Sequence, residues 1–220
     1  MQEIAYKVMR SKRKSVALVI DNEANLIVRA PILMPDAMID EFVRKKRHWI
    51  NEKQHQVASF GEKHSPVVVE TGESIMFLGS SYAIIKDAVD RVEISGSEMI
   101  VPNDYDIEAL TAWLKEQAMQ SISERITLYA NIMGVIPGAI KLSEAKSRWG
   151  SCNTKNNLNF AWRLVMCPLS VVDYVVVHEL SHITYKNHSP AFWARIKTIL
   201  PNYGNEQEWL KLNNKLMEII

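Results

Sequence analysis

Residues 170–193, SVVDYVVVHELSHITYKNHSPAFW, constrain the fold more than any other stretch of the chain. The run VVDYVVVHELSHITY contains neither Gly nor Pro, so nothing in it interrupts a helix, yet its many β-branched residues lower intrinsic helix propensity. Burial must therefore hold it helical, as a core element packed on most sides. Ser170 is the expected N-cap with Asp173 as its capping-box partner, and Pro168 disfavours helix upstream.

On such a helix His178 and His182 are four residues apart, so their rings lie on one face a turn apart, close enough to grip one divalent ion. Glu179 points to a neighbouring direction and is placed to act on water as a general base without occupying a coordination position. A catalytic metal wants a third protein ligand, and His188 is the candidate. Lys186-Asn187 supplies a turn in which Asn is expected in the left-handed conformation, and Ser189-Pro190 reads as N-cap and first helical residue of the next helix. His188 then sits in an elbow aimed back at the other two. A lone histidine on an apolar helix is ordinarily a packed or surface residue; three histidines at these intervals, one after a capped elbow, read as a metal site.

Several motifs agree with this reading in order and spacing: SRWGSC (147–152), WRL (162–164), Pro168, DYVVVHELSH, NHSPAFW, and in the N-terminal half RSKRKS (10–15), VRAP (28–31) and FVRKKRHWI (42–50). Together they resemble the YgjP-like metallopeptidase family, a minimal zincin related to the SprT-like and WLM groups, over nearly the whole chain. The resemblance implies that His178, His182 and His188 bind the metal and that Glu179 is the catalytic carboxylate. Leu78-Gly79 followed by Tyr82 also resembles the family, with a turn expected to pack on the first sheet. Ala161 departs from the family's pattern, which carries Asn before WRL, and this puts a substrate role at that position in doubt.

The rest of the chain places an α+β fold around this helix. Residues 4–9, 15–20 and 25–30 read as a meander of strands, with Arg10 to Lys14 at a basic hairpin tip, and a helix follows through about Gln56. Residues 67–70, 74–79, 82–86, 91–95 and 98–102 read as a second, antiparallel sheet. Residues 106–133 form a long amphipathic helix ended by Gly134, with Ile107, Leu110, Trp113, Leu114, Met119, Ile122, Ile126 and Ala130 on its inner stripe. Strands follow at 139–147 and 158–164, then helices at 190–200 and 206–219. The expected division is an N-terminal antiparallel β-rich region with one helix over 1–103, and a zincin-like catalytic domain carrying the HExxH helix over 104–220. Trp149, Trp162 and Trp193 read as packing residues, and Cys152 and Cys167 as small buried hydrophobes rather than a disulfide framework.

Composition narrows the function. With 220 residues, 47% of them hydrophobic, and a net charge of +1, this is an ordinary globular chain with no general attraction to nucleic acid. No apolar run approaches a membrane span and the N-terminus lacks the apolar core of a secretory signal, so the expected location is the cytoplasm. The leading expectation is a metal-dependent hydrolase of peptide bonds, with Zn2+ as the first choice of ion and Ni2+ or Co2+ compatible with three imidazoles. A metzincin is excluded, because that pattern needs Gly where Tyr185 stands and a downstream Met-turn, whereas Met217 lies in a helical run. A nucleoside triphosphate is the alternative substrate, with Arg10, Lys12, Arg13, Arg44 and Arg47 as an anion clamp. The weaker alternative is a nucleic-acid-binding protein with a structural metal, which leaves Glu179 unexplained. Arg148 and Arg163 are further candidates for stabilising a developing anion, against the commoner fate of a structural ion pair.

Overall fold

The computed structural model describes residues 4–21, 24–61 and 67–218. The chain forms two compact units, Met1–Ser65 and Pro66–Ile220.

The first unit contains β1 (Tyr6–Ser11), β2 (Ala17–Ile20), β3 (Leu26–Pro31), α1 (Asp36–Lys45) and α2 (Arg47–Gly61). Leu26, Val28 and Ala30 alternate along β3 and are fully buried, which makes β3 the central strand and packs that face with Ile39, Val43 and Ile50 of the helices. The sheet order is β1-β3-β2, with β3 antiparallel to β2 and parallel to β1. The expected meander is therefore corrected: β1 and β2 do not pair, and the basic stretch from Arg10 leads into a crossover rather than a hairpin. Arg10 is committed to its own unit. It donates to the carbonyls of Pro31, Ile32 and Met34 and pairs with Asp36, stitching the link between β3 and α1. The single helix expected to Gln56 is interrupted at Lys46, whose amide is shared between the carbonyls of Phe42 and Val43.

The second unit opens with β4 (Ser74–Phe77), β5 (Ser80–Asp87), β6 (Glu93–Ser95) and β7 (Glu98–Pro102), in the order β4-β5-β7-β6. Its central pair, β5 and β7, is parallel, so this sheet too is mixed rather than antiparallel, and residues 67–70 are not a strand. The long helix α3 (Ile107–Met133) follows, capped by Asp106, whose carboxylate accepts from the Ala109 amide at 2.8 Å, and ended by left-handed Gly134. Its buried stripe runs Leu110, Leu114, Ala118, Ile122, Ile126 and Met133, with Ala118 rather than Met119 pointing inward. A small sheet, β8 (Ile140–Ser143), β9 (Gly150–Cys152) and β10 (Leu158–Ala161), has β10 at its centre and leads into a 3₁₀ turn at Trp162–Met166. The remaining helices are α4 (Leu169–Thr184), α5 (Pro190–Ile199) and α6 (Tyr203–Leu212), followed by a 3₁₀ turn at Asn214–Met217.

The second sheet shares one core with the helices. Ile75, Phe77, Ile84, Met99 and Val101 pack in the same cluster as Leu110, Leu114 and Ile122 of α3 and Val172, Val176 and Leu180 of α4. That common burial explains why the border between units falls at 65/66, ahead of the expected 103/104. As its composition requires, α4 is buried on nearly every side.

Its start differs from expectation. Pro168, in extended conformation, occupies the N-cap position and Ser170 lies inside the first turn without capping. Asp173 is unavailable for a capping box because Arg125 of α3 grips it with two nitrogens, Nη2 to Oδ2 at 2.8 Å and Nε to Oδ1. A second anchor comes from the β4–β5 hairpin, whose two turn residues, Leu78 (φ 47°) and Gly79 (φ 83°), both lie in the left-handed region. Their amides donate to the carbonyls of Val165 and Met166 at 2.8 and 3.2 Å. A Cβ at Gly79 would lie 2.7 Å from the Cα of Pro168. The turn thus packs on the entrance to α4. Among the described residues no helix is long and apolar enough to cross a membrane.

Candidate metal centre

Helix α4 carries His178 and His182 one turn apart, their ring centroids 5.0 Å from each other. The chain leaves the helix after Thr184, and Tyr185 turns its carbonyl back to accept from His182 Nδ1 at 2.9 Å. Lys186 then reaches Asn156 Oδ1 at 2.6 Å, tying the elbow to the turn between β9 and β10. Ser189 caps α5 by accepting from the Phe192 amide at 3.4 Å, with Pro190 at the first helical position, as its sequence predicts. Asn187 is not left-handed; among the described residues only Ala24, Leu78 and Asn156 have positive φ without being glycine. The Tyr185 and Lys186 bonds make the turn in its place.

This elbow brings His188 beside the other two, its ring centroid 5.0 Å from His178 and 4.8 Å from His182. One nitrogen from each of His178, His182 and His188 lies within 4.8 Å of the others, and the Nε2 atoms of His178 and His188 are 3.1 Å apart. The fully buried Phe192 forms the floor, its ring centroid 4.6 to 4.9 Å from all three imidazoles.

The donor set fits a divalent cation. A carbonyl can only accept, so His182 carries its proton on Nδ1 and presents Nε2 as a lone pair. Tyr174 Oη occupies the corresponding nitrogen of His178, 3.4 Å from Nδ1, and again leaves Nε2 toward the cluster. Two ligands on one tetrahedral zinc sit about 3.3 Å apart, close to the observed approach of the His178 and His188 nitrogens. Burial, and then the neighbouring His182 and His188, pull His178 down to about 3, and burial lowers His182 as well. Both are therefore neutral near pH 7, the form that ligates a metal.

Glu179 follows His178 on α4 and is only 5% exposed; burial pushes its carboxyl up to about 8. It lies flat against β9, where a Cβ on Gly150 would come within 2.7 Å of Oε1 and 2.8 Å of Cγ. The glycine in the SRWGSC motif is thus the surface on which the carboxylate rests. Sequence reasoning missed Gly150, Tyr174 and the Tyr185 carbonyl. Of these only Tyr174 had a local signal, standing one helical turn before His178.

The other candidates fall elsewhere. Arg163 is buried at 3% exposure, its guanidinium 4.5 Å from the Trp162 ring and 3.5 Å from Glu144, so it is a packing and ion-pair residue. Arg148 is exposed, and Arg13 and Arg44 belong to the first unit. Ala161 is buried and uses its amide to hold the Trp149 carbonyl at 2.9 Å, so that position presents no side chain to a substrate. Trp162 is core, donating to Glu144 at 2.7 Å, whereas Trp193 stacks on His188 at 5.5 Å. Cys167 is buried as expected and Cys152 only partly so.

Three imidazoles converging on one point, with a protonatable carboxylate alongside, have the chemistry of a metal-dependent hydrolase of the zincin type. Residues 14–213 match the family described as YgjP-like, metallopeptidase domain, and the chain belongs to that family. No curated protein matches the chain.

Proposed function

We propose that the protein is a zinc peptidase in which His178, His182 and His188 hold the ion and Glu179 is the general base. The observation that carries this is the 3.1 Å approach of the His178 and His188 Nε2 atoms while the opposite nitrogens of His178 and His182 are engaged by Tyr174 and Tyr185. Lone pairs so close repel unless a proton or a cation lies between them. When bound, such an ion supplies Lewis acidity to the scissile carbonyl and to the attacking water.

The protein's own groups do the rest. Glu179 takes the proton of the attacking water and returns it to the leaving amine, and Gly150 beneath it keeps the carboxylate from swinging away. With a cation held by His178, His182 and His188, the Glu179 carboxyl would lie below the value that burial alone imposes and would serve as the base in its ionised form. The family implies a peptide substrate. Among the described residues β9 pairs only with β10 and lies against Glu179, so an extended peptide added along its outer edge would run past the proposed base. Zinc is preferred over nickel and cobalt on availability, since imidazole suits all three.

The test is metal content and turnover together. The parent is expected to hold one zinc per chain by elemental analysis, to hydrolyse an unfolded protein substrate, to lose this on chelation and regain it on adding zinc. Glu179→Gln should retain the zinc and lose at least ~100-fold in turnover. A parent without metal, or His188→Ala binding zinc as the parent does, overturns the ligand assignment. Hydrolysis of nucleoside triphosphates but not of peptides overturns the substrate class.

A further inference from the structure

Helix α6 contributes no fully buried residue to the core, unlike α3, α4 and α5. Its inner face is nevertheless engaged. Tyr203 and Gln207 stand one turn apart on it, and both reach the rings around the histidine cluster. Gln207 Nε2 donates to Tyr174 Oη at 2.9 Å, the same oxygen that lies 3.4 Å from His178 Nδ1. Tyr203 is sandwiched between two aromatic rings. It stacks on Tyr174 at 6.1 Å with an interplanar angle of 8°, and on Trp193 at 5.8 Å with an angle of 14°. Trp193 in turn stacks on His188 at 5.5 Å and 21°.

The column therefore runs from His188 on the elbow, through Trp193 of α5 and Tyr203 of α6, to Tyr174 of α4, which touches His178. We infer that Tyr203 and Gln207 are positioning residues: α6 clasps His178 and His188, ligands from two different parts of the chain, and sets the affinity of the site for its metal. This rests on the three-histidine reading proposed above.

The physical case differs for the two ends. His178 is held by a helix that is itself buried, so its backbone needs no help; what Gln207 and Tyr174 supply is ring orientation, with Nδ1 engaged and Nε2 toward the cluster. His188 is exposed and sits between two helices, so apart from the approach of its Nε2 to His178 its imidazole is held by the packing of neighbouring rings. Of the rings around it, Phe192 is anchored in the core, while Trp193 is backed by Tyr203. Removing Tyr203 takes away that backing and the stacked surface of Tyr174 together. Losing groups that orient metal ligands characteristically lowers metal affinity by about 10–100-fold.

The experiment measures zinc affinity by chelator competition and the visible absorption of the cobalt-loaded protein, with metal-free stability recorded for each variant. Tyr203→Ala should bind zinc about 10–100-fold more weakly and alter the cobalt spectrum, while Tyr203→Phe, which keeps the stack, restores both. Tyr174→Phe, which keeps the stack and removes the oxygen, should weaken binding by about 10-fold. Gln207→Leu, at a half-exposed position that leaves the fold intact, should weaken it in the same direction. Parent-like zinc affinity and cobalt spectrum in folded Tyr203→Ala overturn the inference and leave the ligand assignment standing. If Tyr203→Ala does not fold, parent-like values in both Gln207→Leu and Tyr174→Phe overturn it in the same way. A parent that binds no metal overturns the ligand assignment, and this inference with it.

Discussion

Gly150→Ala tests the site at a point where one methyl group decides the outcome. Gly150 is not among the glycines with positive φ, so its backbone accepts alanine and the closest contacts of the added methyl are with Glu179. The added Cβ would stand 2.7 Å from Oε1, 2.8 Å from Cγ and 3.0 Å from Cδ, where ordinary contact begins at 3.4 Å. The whole side chain of Glu179 must therefore retreat, by about 0.7 Å at its closest point, in surroundings that leave it 5% exposed. Forcing one methyl into so full a space is expected to reduce stability by about 1–3 kcal/mol, read by denaturant unfolding of the metal-free protein. If Glu179 is the general base as proposed, displacing it by most of an ångström should reduce turnover by roughly 100-fold with zinc stoichiometry unchanged. A double-mutant cycle isolates the cause, because in a Glu179→Ala background the methyl fills vacated space and its stability penalty should largely vanish. Parent-like turnover and stability in Gly150→Ala, or an undiminished penalty in the Glu179→Ala background, would refute the reasoning.

Arg125→Met leaves Asp173 unpaired between α3 and α4, where the two side chains are 24% and 14% exposed, and should cost about 1–3 kcal/mol by denaturant unfolding. Glu144 is held below its ordinary 4.5, first by Lys115, so its contribution is complete above pH 4.5 and drains away as pH falls through the lower folded value; Glu144→Gln should flatten that part of the acid-unfolding profile. Replacing Arg13 and Arg44 together with Gln is expected to leave peptide hydrolysis unchanged, and a marked fall that high salt abolishes would instead give the first unit a part in holding the substrate.

What was legible in the sequence was local. The interval between His178 and His182 fixes one helical face, and Ser189-Pro190 specifies the start of α5, so the elbow and its third histidine follow from a few neighbouring residues. The resemblance to the family was legible as well, and the family's model covers residues 14–213. Pairing order was not legible, because β1 and β3 meet across an intervening strand, and the alternating burial of Leu26, Val28 and Ala30 marks β3 as central only once the helices are in place. The cap of α4 was misread for the same reason: Asp173 looks like a capping partner until Arg125 arrives from a distant helix. Nothing near Gly150 in sequence announces that a carboxylate will lie on it. The Tyr203 stack belongs to the same class, built from rings on three helices.

The docking of Leu78 and Gly79 on the entrance to α4 has a bearing on inheritance. A fragment cut at residue 104 would retain every histidine of the cluster and the helix that carries two of them. It would also strip the carbonyls of Val165 and Met166 of their donors and expose the core faces of α3 and α4 that Ile75, Phe77, Met99 and Val101 cover. A piece passed between genes with this core intact therefore has to include the mixed sheet and begins near residue 66. Sequence drift at the hairpin tip is correspondingly restricted, because Gly79 has no room for any side chain against Pro168.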